Sequence, residues 1–354
     1  MSRNIFIPGP TWVEPAAYQA MAKEIVPHRS QEFRSAIAST QNGLKSLAGT
    51  VRPVYLSTTS STGMMEAAVR NLIRPNKRIF HCSNGAFGEK WADISKRCGH
   101  KVLHYQEKWG QPFDEEIILS TLNQGNIDAL CIVHAETSTA CINDLSRISK
   151  IVQNFPDVLL CVDAVSSFSM QSIEMDRLQL DVVLAGAQKG IALPPGLSIC
   201  AVSQKALDRA HIVPNRGFYL DFCEHEKQIQ ESMPISTPAM NLIWGLSYRM
   251  EQVVAEGVEA RYDRHKQINQ FLVDQLTNRG WNLFSEMCPR TAGLACFTPP
   301  NAITDTCDWA SKLKESTGYV VDSGYGKLKG KVIRISNMGI SDISELTPLI
   351  EAIN

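Results

Sequence analysis

The chain has 354 residues, of which 44% are hydrophobic and 20% are charged, and its formal net charge is −1 at pH 7. These proportions are those of a globular protein, and the near-neutral charge argues against a nucleic acid as partner. The length exceeds that of most single domains, so we expect two domains.

The N-terminal segment and the cysteines bear on the compartment. The segment before Pro10 lacks the apolar stretch of a signal peptide, and no window is long and apolar enough to span a membrane. The ten cysteines form no C-x-x-C pair, and no metal site is predicted. Several of them, such as Cys131, Cys161 and Cys200, lie in apolar runs, which suits a reducing compartment. We therefore expect a cytoplasmic protein without membrane contact.

Apolar, β-branched runs alternate with helical patterns through most of the chain. This alternation predicts an α/β fold with a mostly parallel sheet that is covered by helices on both faces. Ligands of such sheets bind beyond the carboxyl ends of the strands. The predicted strands are Val54–Thr58, Arg78–Cys82, Lys101–His104, Ala129–His134, Val158–Val162, Val182–Ala185 and Leu197–Val202. The predicted helices between them are Met64–Leu72, Gly88–Cys98, Phe113–Gly125 and Asp144–Phe155.

The pattern changes near Pro238. Two long helices are predicted over Met240–Glu256 and Val258–Asn278, with Gly257 between them. We therefore divide the chain into an N-terminal arm (1–15), a large domain (16–256) and a small α+β domain (257–354). The remaining predicted elements are strands at Leu294–Phe297 and Lys331–Ile335, a helix near Asp308–Ser316 and a closing helix at Ile343–Ile353.

Two polar turns follow predicted strands in the first half of the chain. The run from Thr58 to Thr62 contains five consecutive hydroxyl residues, followed by Gly63 and a predicted helix. Hydroxyls and backbone N–H groups at a helix start bind anions, although Ser and Thr also serve as simple caps there. In the second turn, Ser83–Gly88, the glycines let Phe87 stand clear of the backbone. Its ring would then stack on a flat heterocycle or join the core.

Polar residues also interrupt buried strand patterns further along. A polar cluster from His134 to Thr139 directly continues a predicted strand. Ser138 or Thr139 would hydrogen-bond a ligand there, whereas His134 and Glu136 would form a structural pair. Arg334 lies within an apolar strand pattern and requires a partner, which is either a ligand carboxylate or a carboxylate of the chain itself.

Two further charged residues, Asp163 and Lys189, follow neighbouring predicted strands. A buried ammonium group is costly unless a shifted pKa or a covalent bond makes use of it. Pyridoxal phosphate (PLP) chemistry uses this pair, because the lysine forms a Schiff base with the cofactor and the aspartate keeps the pyridine nitrogen protonated. Taken singly, the residues also fit a solvated loop lysine and a helix cap.

In chain order, these segments resemble the class V aminotransferases of the fold-type I PLP enzymes, and most closely the alanine–glyoxylate / serine–pyruvate aminotransferase group. The likeness extends from Pro8-Gly9-Pro10-Thr11 to Gly330–Gly339, which is nearly the whole chain. Its strongest motifs are Val162–Ser167, Gln188-Lys189 and Pro194-Pro195-Gly196. The resemblance implies a mostly parallel seven-stranded sheet, pyridoxal 5'-phosphate as cofactor and a homodimer with active sites at the subunit interface.

The resemblance also implies a role for each matching residue. Lys189 would bind the cofactor and carry the proton, and Asp163 would pair with the pyridine nitrogen. Arg334 would hold the substrate carboxylate. The other cofactor contacts would be Ser61, Thr62 and Gln188 at the phosphate, Thr237 of the partner subunit at the same phosphate, Phe87 and Val165 on the two ring faces, and Ser138 at the ring hydroxyl.

The implied reaction is ping-pong transfer of an amino group from a serine- or alanine-type amino acid to glyoxylate or pyruvate. Two departures leave other donors open: Ser61-Thr62 replaces the Gly-His of alanine–glyoxylate enzymes, and Pro234 replaces an aromatic residue at a phosphate contact. Aminoethylphosphonate–pyruvate transaminases have Gly-Thr at the positions of Ser61-Thr62 and are similar over His134–Thr139. Aminoethylphosphonate transamination and aspartate transamination are therefore alternatives. A cysteine desulfurase would need histidine at Phe87, and a non-catalytic scaffold would need no lysine–aspartate–arginine set.

Overall fold

A computed structural model describes residues 3–353. Its strands are β1 (Val54–Ser57), β2 (Arg78–Ser83), β3 (Lys101–Gln106), β4 (Ile127–Val133), β5 (Ala135–Glu136), β6 (Cys141–Ile142), β7 (Leu159–Asp163), β8 (Val182–Gly186), β9 (Ser198–Val202), β10 (Asn282–Leu283), β11 (Leu294–Thr298) and β12 (Ile333–Ser336). A seven-stranded sheet has the order β1-β9-β8-β7-β4-β2-β3, and only β9 is antiparallel to its neighbours. The predicted α/β fold and all seven predicted strands of this sheet are confirmed.

The predicted helices are also present, with one correction. The helices are α1 (Pro15–Met21), α2 (Gln31–Ala48), α3 (Ser61–Leu72), α4 (Ala86–Arg97), α5 (Glu115–Asn123), α6 (Leu145–Val152), α7 (Gln204–Ile212), α8 (Phe222–Gln230), α9 (Met240–Glu256), α10 (Val258–Thr277), α11 (Thr306–Thr317) and α12 (Thr347–Ala352). The closing helix is divided, because a 3-10 turn (Ile343–Glu345) precedes α12 and Pro348 lies in the first turn of α12. Proline fits a first turn but breaks a helix interior. Within residues 3–353, none of the helices combines the length and apolarity needed to cross a bilayer.

The central strands explain where the polar groups gather. Every residue of β4, β7 and β8 is buried, as expected for parallel strands with helices on both faces. The register pairs Val133 with Asp163 and Asp163 with Leu184, so the carboxyl ends of these three strands lie side by side. Lys189 follows β8 in the next loop and is therefore held at the same edge of the sheet.

A second hydrophobic core surrounds the sheet of β10, β11 and β12 and includes residues from α10 and α12. The N-terminal arm belongs to this core, because the Phe6 N–H donates to the Val320 carbonyl (2.9 Å) and the Phe6 carbonyl accepts from the Ser336 N–H (2.8 Å). Gly257 separates α9 from α10 with φ +80°, which is favourable only for glycine. The division at 256/257 remains a prediction.

One pair of cysteines departs from the expectation of scattered thiols. Cys141, in β6, is joined to Cys288 by a disulfide, with the two Cα atoms 5.5 Å apart. In the part of the chain that the structure describes, the other eight cysteines are free. A separation of 147 positions leaves no local signal in the sequence for this pairing.

Candidate active site

Lys189 and Asp163 lie buried at the carboxyl edge of the sheet, with 9% and 2% of their surface exposed. One carboxylate oxygen of Asp163 accepts the Val165 N–H (2.8 Å), and within residues 3–353 neither Lys189 nor Asp163 forms a salt bridge. Burial raises the pKa of Asp163 to about 7, and burial together with the Arg334 charge lowers the pKa of Lys189 to about 7. An amine with such a pKa is a ready nucleophile near neutral pH.

The N-terminal arm packs directly against this lysine. A Cβ atom at Gly9 would lie 2.8 Å from both Cδ and Cε of Lys189. The Thr11 N–H donates to the Gln188 carbonyl (3.1 Å), and the Thr11 hydroxyl donates to the Lys189 carbonyl (3.2 Å). The arm therefore fixes the lysine side chain and its loop. No sequence pattern assigned this contact to Gly9.

The start of α3 forms a small polar cradle next to the lysine loop. A Cβ atom at Gly186 would clash with the Ser61 hydroxyl and the Gln188 amide, so these two side chains converge on the space that glycine leaves open. The Thr62 hydroxyl accepts a hydrogen bond from the Lys90 ammonium (2.9 Å). Hydroxyl, amide and ammonium groups at a helix start provide donors and positive charge for an anion.

Glu136 organises the neighbouring turn that carries Phe87. Its buried carboxylate accepts the N–H groups of Phe87 (3.1 Å) and Gly88 (3.2 Å) at the start of α4 and the hydroxyl of Ser138 (2.6 Å). The Ser138 hydroxyl in turn accepts the Ala86 N–H (3.0 Å). Burial raises the pKa of Glu136, while these hydrogen bonds lower it.

The expected pairing of Glu136 with His134 is wrong. The nearest polar partner of the His134 ring is the Gln171 amide at 3.5 Å, and Glu136 is used as the cap of α4 instead. The dipole of α4 stabilises a carboxylate at the N-terminus of the helix, whereas a neutral imidazole would give the carboxylate no such stabilisation.

The guanidinium group of Arg334 contacts other groups of the chain and still has free N–H donors. Its Nε (2.9 Å) and Nη2 (2.8 Å) contact one oxygen of Asp322, and its Nη1 donates to the Thr137 carbonyl (2.8 Å). The Nε and Nη1 contacts are hydrogen bonds and the Nη2 contact is an ion pair, so guanidinium N–H donors are left for a second carboxylate. The Tyr325 ring lies 6.0 Å from this guanidinium and stacks on Phe87 at 5.6 Å. Asp322 and Tyr325 are site residues that sequence reasoning missed.

The remaining predicted site residues are Val165, which contacts Asp163, and Thr237, which does not contact Lys189 through a hydrogen bond or salt bridge within residues 3–353. Val165 is half-buried beside Asp163 and donates its N–H to that carboxylate. Thr237 is exposed in the loop before α9, and within residues 3–353 no hydrogen bond or salt bridge joins it to Lys189. The role of Thr237 in a neighbouring subunit therefore stays a prediction.

The chemistry of these residues fits pyridoxal phosphate. Within residues 3–353, Asp163 is a buried carboxylate that forms no salt bridge, and a protonated pyridine nitrogen would supply the missing cation. Lys189 offers an amine of lowered pKa for the aldehyde, and the Ser61–Gln188 cradle suits the phosphate. Fold and site together define a PLP-dependent enzyme of fold type I.

Comparison with known proteins gives the family. The model of the aminotransferase class-V family matches residues 15–339. The chain is 31% identical to an uncharacterized aminotransferase of Methanocaldococcus jannaschii, over 98% of this chain and 90% of that protein. It is 28% identical to the serine–glyoxylate aminotransferase of Arabidopsis thaliana, over 97% of this chain and 86% of that protein. The crystal structure of an alanine–glyoxylate aminotransferase from Nostoc sp. superposes with a TM-score of 0.93 at 28% identity, covering 100% of this chain and 94% of that chain.

The chain therefore belongs to the class V aminotransferase family, and it is a PLP-dependent transaminase. The family match includes the whole seven-stranded sheet and ends at Gly339, just beyond Arg334. The relatives differ in their amino donors, so the family alone does not select the substrate of this chain.

Proposed function

We propose that the protein transfers an amino group from a small amino acid of the alanine or serine type to glyoxylate or pyruvate by ping-pong transamination. The observation that carries this proposal is that Lys189 and Asp163 lie at one edge of the seven-stranded sheet, while Arg334 of β12 contacts the Thr137 carbonyl, just beyond β4, and keeps N–H donors for a carboxylate. The named activities of the Arabidopsis and Nostoc relatives support glyoxylate as acceptor.

Each residue has a defined task in this proposal. Bound PLP supplies an electron sink that acidifies the α-carbon of an amino acid. The Lys189 amine, with its lowered pKa, accepts the α-proton at Nζ. The Asp163 carboxylate keeps the ring nitrogen of the cofactor charged, and the remaining Arg334 donors orient the α-carboxylate of the substrate. Gly9 limits the positions open to the lysine side chain.

The proposed cofactor contacts extend around this centre. Phe87 and Val165 would enclose the ring, and Ser138 would contact its hydroxyl side. The phosphate contacts would be Ser61, Thr62, Gln188 and Thr237 of the partner subunit. The last contact requires a homodimer, so light scattering should give twice the chain mass of 39.2 kDa. A monomer with full activity would refute the shared site.

The half-reaction tests the substrate assignment. PLP-loaded protein is mixed separately with alanine, serine, aspartate and 2-aminoethylphosphonate, and the loss of the visible cofactor band is timed. We expect alanine or serine to react fastest. Fastest reaction with aspartate or 2-aminoethylphosphonate would replace this assignment by the corresponding alternative.

A matched pair of lysine variants tests the catalytic assignment. Lys189→Ala should lose turnover, with a loss of at least about a hundredfold for removal of the general base. Lys266→Ala, in an exposed position of α10, should retain turnover. Equal activity of the two variants would overturn the role of Lys189.

A further inference from the structure

Cys141 and Cys288 join two parts of the fold beside the site. Cys141 belongs to the β5–β6 hairpin (135–142), which also carries Ser138. Cys288 belongs to the loop between β10 and β11 (284–293), on the side of the second core. The two Cα atoms lie 5.5 Å apart, which is a usual separation for a disulfide.

Hydrogen bonds hold the hairpin and the loop together independently of the sulfur atoms. The Ile142 N–H donates to the Pro289 carbonyl (2.8 Å), and the Thr291 N–H donates to the Ala140 carbonyl (3.1 Å). The Ser285 hydroxyl donates to the Thr139 carbonyl (3.0 Å). The proximity of the cysteines therefore follows from the packing of the two segments.

The surroundings of the pair suit a reversible reaction. Both sulfur-bearing residues are buried, at 0% for Cys141 and 4% for Cys288. The residue before Cys288, Met287, is 74% exposed, and Pro289 after it is exposed as well. We expect a local opening of this loop to present the Cys288 thiol to solvent, since both neighbouring residues are already exposed and local opening costs less than global unfolding.

We propose that Cys141 and Cys288 are a redox modification site, at which a low-molecular-weight disulfide converts two thiols into a cross-link between the hairpin and the loop. The Cys288 thiolate attacks the small disulfide, forms a mixed disulfide and releases one small thiol. The Cys141 thiolate then displaces the second small thiol. Two protein thiols are oxidised and one small disulfide is reduced to two thiols, and the two protons of the protein thiols end on the two released small thiolates.

The consequence is a covalent tie beside the cofactor pocket. The cross-link closes a long loop of the chain, and such links stabilise mainly by restricting the unfolded state. We expect the oxidised protein to melt about 5 °C above the reduced protein. We also expect slower hydrogen exchange in the hairpin 135–142, because the cross-link opposes its local opening.

The test uses the PLP-loaded full chain, equilibrated in oxidised or in reduced glutathione. Alkylation during unfolding and peptide mapping should give a linked peptide containing both cysteines only in the oxidised sample, and reduced glutathione should reverse it. Cys141→Ser and Cys288→Ser should each lose the melting shift, whereas Cys307→Ser, at a half-buried free thiol, should retain it. Alkylation of both thiols after oxidation, or a link that reduced glutathione does not open, would overturn the proposal. The mapping remains decisive if a serine variant fails to fold.

Discussion

Replacing Asp163 with asparagine in the cofactor-free protein removes a buried ionisable group but keeps an oxygen that can accept the Val165 N–H. Burial raises the pKa of Asp163 from 3.8 to about 7 in the folded chain. Between these two values, the folded protein retains a proton that the unfolded chain has released. The stabilisation from this group is therefore fully present below about pH 4 and is lost as the pH rises through about 7.

The expected magnitude follows from the two pKa values. Integrating the proton difference between about pH 5 and about pH 8 gives a loss of about 3 kcal/mol in the free energy of unfolding of the wild-type protein. Asp163→Asn has no such group, so its stability relative to wild type should improve by about 3 kcal/mol over the same interval. The variant should nevertheless bind PLP more weakly, because asparagine cannot balance the charge of a protonated pyridine nitrogen.

Urea denaturation at both pH values measures the difference. Asp263→Asn serves as the matched control, because Asp263 is exposed on α10 and its replacement should change stability equally at both pH values. A second comparison in a Lys189→Met background removes the neighbouring titration. If the difference between Asp163→Asn and wild type is the same at both pH values, the carboxyl group is not held in the buried, uncompensated state described above.

Three further predictions concern the same centre. Gly9→Ala places a Cβ against the Lys189 side chain, so kcat should fall by about tenfold or more, and the melting temperature should fall as well because Gly9 has φ +149°. An unchanged kcat would refute the contact. Asp322→Asn frees the guanidinium of Arg334 to reorient, so KM for the amino donor should rise more than kcat falls, and an unchanged KM would refute this positioning role. Lys189→Ala and Thr237→Ala subunits, each inactive alone, should regain activity in mixed dimers, because one site then has both residues; no recovery would place Thr237 outside the shared site.

Much of the fold could be predicted because buried strands and helix faces have recognisable apolar patterns in the sequence. The strands β4, β7 and β8 are buried on both faces and therefore consist of short apolar runs. The rule that ligands bind at the carboxyl ends of parallel strands then located Asp163 and Lys189 correctly at one edge. Their burial and proximity follow from the order of the strands in the sheet, and this order cannot be predicted from the periodicity of the sequence.

The residues that were missed act through contacts between distant segments. Gly9 packs against Lys189, which is 180 positions later in the chain, and Tyr325 stacks on Phe87, which is far earlier in the chain. Glu136 lies in the predicted polar cluster, but its partner is the Phe87 N–H at the start of α4, nearly fifty positions earlier. Such pairings depend on how the two cores pack, so no local pattern distinguishes these residues from ordinary loop residues.

Two buried aspartates at opposite ends of the sheet differ in how their charge is balanced. Asp128, at the amino-terminal end of β4, is fully buried and contacts Arg74 (2.7 Å) and Arg209 (3.4 Å). Its charge is balanced within the chain, as a structural carboxylate requires. Asp163, at the carboxyl end of β7, is nearly as deeply buried, but within residues 3–353 it forms no salt bridge with a cation, and burial raises its pKa. Under the proposed function, the protonated ring nitrogen of PLP would supply the positive charge that Asp163 does not receive from a salt bridge within residues 3–353.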